Sequence, residues 1–111
     1  MLILLEKVAT MENLSTKAIL LDMTTDLSRV GTFTLQEKSK RIEQFANKLQ
    51  QALEILAQRK LPTKVSDLLK KISILLKKIA SAKNTYPKEF VADDAFTYGT
   101  MLSHKAKQIN I

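Results

Sequence analysis

Few residues here are equipped to do chemistry. His104 is the only histidine and cysteine is absent, so neither a thiolate nucleophile nor a zinc site of about four nitrogen and sulfur ligands can be assembled. His104 stands beside Lys105 near the chain end, a placement that suits the negative end of a helix. Asp93-Asp94 is a carboxylate pair, but adjacent helical residues point about 100° apart and do not converge on one substrate atom. They fit a solvated patch near a helix start, where the dipole favours negative charge. Gly31 and Gly99 stand alone, whereas a phosphate-cradling loop needs several glycines together. No catalytic, cofactor-binding or metal-binding constellation follows, so the chain reads as one that binds rather than catalyses.

Charge is the more informative signal. Lys and Arg total 18 against 11 Asp and Glu, a net charge of +7. Such a chain is drawn to anionic partners: nucleic acid, a membrane surface or an acidic protein. The excess concentrates between Arg59 and Lys83, where Arg59, Lys60, Lys64, Lys70, Lys71, Lys77, Lys78 and Lys83 face a single acid, Asp67. Within it, Ile74 falls opposite the apolar stripe, with Lys70, Lys71, Lys77 and Lys78 three and four positions either side. These five are the candidate partner-binding residues. An apolar residue ringed by ammonium groups suits a partner with negative charge around an apolar spot, such as an anionic membrane surface. The plain alternative is a solvated lysine face carrying one stray isoleucine. Nucleic acid is the rival partner, since lysines can neutralise phosphates. Against it, no helix-turn-helix is evident, and arginine, which makes the characteristic bidentate base contacts, occurs only at 29, 41 and 59.

Helices must position these residues. Gly 2 and Pro 2 are too few for a strand-rich fold with its many turns. A first helix is expected from about Leu14 to Arg29, capped by Asn13 or Ser15, carrying Ile19, Leu20, Met23 and Leu27, and stopped at Gly31. Thr34-Leu35-Gln36-Glu37 has the spacing of a capping box and predicts the start of a second helix. Ile42, Phe45, Leu49, Leu53 and Leu56 line one side of it to about Arg59. Pro62 opens a third, from Pro62 or Thr63 to Ala82, whose stripe of Val65, Leu68, Leu69, Ile72, Leu75, Leu76 and Ile79 fits an arc of about 120°. After the turn Asn84-Thr85-Tyr86-Pro87, a fourth runs from Lys88 to Lys107, with Gly99 a place to bend or end. Residues 108–111 read as a loose tail and 1–13 as an N-terminal extension, Met11 being an alternative start.

At 111 residues, 45% of them hydrophobic, the chain suits one domain spanning 1–111. Short connections between four amphipathic helices predict an all-α, antiparallel up-down-up-down four-helix bundle. No apolar run approaches the ~20 residues of a membrane span. Met1-Leu2-Ile3-Leu4-Leu5 lacks a preceding basic region and is cut by Glu6 and Lys7, so it is not read as a signal peptide. The absence of cysteine is compatible with the cytosol.

The stretch from Leu49 to Ile79 carries a resemblance. Ala52-Leu53 at a helix end, a short polar stretch, then Leu61-Pro62 opening Val65-Ser66-Asp67-Leu68-Leu69-Lys70-Lys71-Ile72 resembles the immunity proteins of pediocin-like (class IIa) bacteriocins, especially the enterocin A immunity group. With size, basic charge and helix number, the likeness covers residues 14–107. It implies a cytoplasmic four-helix bundle, peripheral to the inner membrane face. It also implies binding to a complex of bacteriocin and mannose phosphotransferase permease, which blocks the pore. Two other functions remain open: a small basic nucleic-acid-binding regulator, and a helical subunit of a larger assembly.

Overall fold

The computed structural model describes residues 14–81 and 87–109. They form four helices and, among the described residues, no strand: α1 (Thr16–Leu35), α2 (Ser39–Leu56), α3 (Thr63–Ala80) and α4 (Lys88–Lys107). The expected extension at 1–13, Lys83, the Asn84-Thr85-Tyr86 part of the third turn and the end of the tail lie outside the described residues.

α1 is capped by Ser15, whose hydroxyl accepts from the Ala18 N–H at 3.1 Å. The helix does not stop near Arg29; it runs through Gly31 to Leu35. The apolar stripe simply continues, with Val30, Gly31 and Thr34 buried after Leu27. Gly31 keeps a negative φ and serves packing: a Cβ there would lie 2.7 Å from ring carbons of Phe96 on α4.

The capping-box expectation at Thr34–Glu37 is therefore corrected. Thr34 sits in the last turn of α1, and Glu37 adopts φ 57. The Lys38 N–H donates to the Phe33 carbonyl at 3.0 Å and the Glu37 N–H to the Thr34 carbonyl at 3.1 Å. This paired pattern closes a helix C-terminus. Glycine ordinarily fills the left-handed position, where a side chain costs about 1–2 kcal/mol. α2 consequently starts at Ser39, without a side-chain cap, and ends at Leu56 rather than Arg59. α3 likewise ends at Ala80, not Ala82.

Pro62 and Pro87 each stand one residue before a helix and supply its first acceptor. The Pro62 carbonyl takes the N–H groups of Val65 and Ser66, both at 3.0 Å, and that of Pro87 takes Phe90 at 3.0 Å and Val91 at 3.2 Å. α4 passes unbroken through Gly99. A Cβ there would make ordinary contact with Leu27 Cβ at 3.5 Å, so packing against α1 holds the helix together where a bend was expected. Within the expected tail, Ile109 is buried in the core.

The helices touch in a ring. α1 packs most extensively on α4 and next on α2; α4 packs on α3, and the α2–α3 contact is the slightest of the four. Ile19, Leu20, Met23, Leu27, Leu49, Leu56, Ile72, Leu75 and Leu102 fill the interior, nearly or wholly inaccessible to solvent. At roughly 1.5–3 kcal/mol for burying each such side chain, this aliphatic centre dominates the favourable terms of folding. Along α1, Thr16, Asp26 and Phe33 meet Arg59, Lys48 and Phe45 in that order.

Candidate functional site

α3 holds the candidate face in place because its other side is committed to the core. Val65, Leu68, Leu69, Ile72, Leu75 and Leu76 are buried, and Ile79 packs partly buried against them. The remaining arc must face outward. Lys64, Lys70, Lys71 and Lys77 are exposed, Lys78 is half-buried, and Ile74 is 53% exposed. Helical geometry sorts the lysines into two rows about 110° apart, Lys64-Lys71-Lys78 and Lys70-Lys77, with Ile74 midway between them. Successive members of a row are ~10.5 Å apart along the axis. Asp67, also exposed, lies almost in line with Ile74. The structure thus presents the predicted residues on one outward face. Of the other basic residues in that stretch, Arg59 turns away: its guanidinium donates to the Thr16 hydroxyl at 3.2 Å and ties the end of α2 to the start of α1.

Between α2 and α3 runs an open groove of about 390 Å³ with Leu53, Leu56, Leu61 and Leu69 inside and Glu54 and Lys70 at its border. A larger open cleft of about 520 Å³ lies where Thr34, Ser39, Ile42, Leu76, Ile79, Lys88 and Val91 converge. His104 borders a smaller cleft of about 300 Å³ beside Ser28, Ser103, Thr24 and Thr100. Among the described residues no hydrogen bond joins its imidazole to those hydroxyls, and no group of three or more His, Asp or Glu could hold a metal ion.

A second charged region escaped the reading of the sequence. Asp26 is 2% exposed on α1. It accepts a hydrogen bond from Lys48 Nζ at 3.3 Å and has Arg29 Nη1 at 3.9 Å. Both cations also lie over the Phe45 ring, Arg29 at 5.1 Å and Lys48 at 5.8 Å from its centroid, and Phe33 stacks on Phe45 at 5.7 Å. Burial pushes the Asp26 carboxyl above its ordinary value and nearby Asp22 adds to this, while Lys48 and Arg29 pull the other way. The signal for Asp26 was present: it falls between Met23 and Leu27, in the core-facing register.

The class these features define is a protein whose described residues form four helices, one of them, α3, with a cationic outward face. No family model, curated protein or solved structure matches the chain. Among the described residues no helix is long and apolar enough to cross a membrane.

Proposed function

We propose that this chain is a non-catalytic immunity protein of the pediocin-like bacteriocin type, acting from the cytoplasm on a membrane receptor–bacteriocin complex and blocking its pore. The observation that carries the reading is the α3 face: lysines flank an isoleucine left exposed on a helix whose other large apolar residues pack inward. A partner at a membrane surface supplies both anionic groups and an apolar boundary. The pairing order along α1 and α2, with Thr16 near Arg59 and Phe33 near Phe45, supports antiparallel neighbours. Together with the ring of contacts it supports an up-down-up-down bundle. A bundle of this kind offers rigid helix faces for binding.

The test is expression in a strain sensitive to pediocin-like bacteriocins. Tolerance to a narrow subset of a bacteriocin panel is expected; unchanged sensitivity across the panel defeats the reading. The nucleic-acid alternative makes a separate prediction, retardation of duplex DNA or RNA with a steep salt slope.

A further inference from the structure

We infer that the α3 face seats directly on anionic phospholipid headgroups, with Ile74 entering the interface and the two lysine rows bracketing it. The inference rests on the reading of this face as partner-binding and names its partner. Three observations favour lipid over a nucleic-acid duplex.

The first is the position of Ile74, one of several exposed large apolar residues and the one set among the lysines of α3. Ile74 lies on the midline between the rows, so bringing both rows against a flat anionic surface presses Ile74 into that surface. On a polyphosphate backbone the same contact would bury the isoleucine against charge. The second is the cation type. Every cation in the two rows is a lysine, a flexible point charge that follows mobile headgroups and lacks the planar fork that reads bases. The third is shape. An 18-residue helix is ~27 Å long, and the structure measures 38 × 35 × 19 Å. It can lie along a planar surface on one long helix instead of touching it at a point. Asp67 opposes the fit, and provides a substitution expected to improve it.

The probe is a vesicle of phosphatidylcholine with about one third phosphatidylglycerol, compared with pure phosphatidylcholine, in a sedimentation assay on the intact chain. Binding to the anionic vesicle alone is expected, weakening as salt screens the charges. Each lysine near an anionic surface contributes about fivefold in partitioning, so Lys70→Gln, Lys71→Gln and Lys77→Gln combined should lower it about 100-fold. Ile74→Ala should lower it about tenfold, because an interfacial side chain transfers only part of its apolar surface. Asp67→Asn should raise it severalfold. Circular dichroism verifies that each variant keeps its helices.

Equal partitioning into both vesicles, or binding unchanged in the triple variant, would overturn the inference. So would tighter binding to duplex DNA that is indifferent to Ile74→Ala. Absence of vesicle binding, with tolerance in cells still abolished by the triple variant, overturns the lipid assignment and leaves the immunity reading standing. Vesicle binding by a chain that confers no tolerance does the reverse.

Discussion

Two regions of this molecule carry concentrated charge, and they do opposite things with it. On α3 the lysines are displayed: Lys70, Lys71 and Lys77 reach water around an exposed Ile74. At the α1–α2 seam charge is enclosed, with the Asp26 carboxylate set between Lys48, Arg29 and the Phe45 ring. Displayed like charges add little to folding and leave an electrostatic field for a partner. An enclosed carboxylate must be matched where it lies, because an unpaired buried charge is costly. The comparison separates charge left displayed to solvent on one helix from charge enclosed at the seam between two others.

The largest effect that sharpens this contrast comes from two isoleucines two positions apart. Ile72→Ala should cost roughly 2–5 kcal/mol in denaturant unfolding, for lost burial and the cavity left behind, since Ile72 is 0% exposed. Ile74→Ala should move stability by no more than about 0.5 kcal/mol. Comparable losses at both would mean that α3 is turned about its axis relative to the structure.

Next in size is the seam. Lys48→Met should cost about 1–3 kcal/mol at pH 7, less than a fully buried pair would, because Lys48 is 38% exposed and already screened by water. Lys71→Met should stay within about 0.5 kcal/mol. An equal response at the two lysines, measured by urea titration, would erase the distinction between enclosed and displayed charge.

The smallest effect is in pH dependence. The Asp26 carboxyl is raised in the folded chain from an ordinary value of 3.8. The folded state therefore holds that proton more tightly than the unfolded chain does. Asp26 penalises stability above its folded pKa, and the penalty is relieved as pH falls towards 3.8. Asp26→Asn should thus be slightly more stable than the parent at pH 7, with the difference closing on acidification. An Asp26→Asn variant less stable than the parent at pH 7, with the deficit shrinking on acidification, would show that pairing with Lys48, not burial, governs this carboxyl.

What could be read from the sequence follows the range of the forces involved. α3 and α4 were legible because each is announced by a proline and α3 carries an uninterrupted helical period. The exposure of Lys70, Lys71, Ile74 and Lys77 followed from that period alone. The α1–α2 junction was not legible. Thr34-Leu35-Gln36-Glu37 has the spacing of a helix start, yet α1 winds through to Leu35, with Phe33 stacked on Phe45 of α2. Gly31 misled for the same reason, since what it accommodates is Phe96, a residue on α4. Asp26 could be placed on the core side of α1, but its partner Lys48 lies 22 positions away. Lateral packing between helices leaves no local mark.

The α1–α4 interface has a kinetic consequence. The most extensive contact in the molecule joins the helices that are farthest apart along the chain, with Leu27 meeting Gly99. Loop-closure entropy for segments about 70 residues apart must be met before this interface contributes anything. Helical proteins usually fold fast because their contacts are local; here the principal contact is not. The α1–α2 contact closes over a short connection, whereas the α1–α4 contact needs nearly the whole chain. Refolding should therefore be slower than helix content alone suggests, and α4 is the helix whose docking completes the fold.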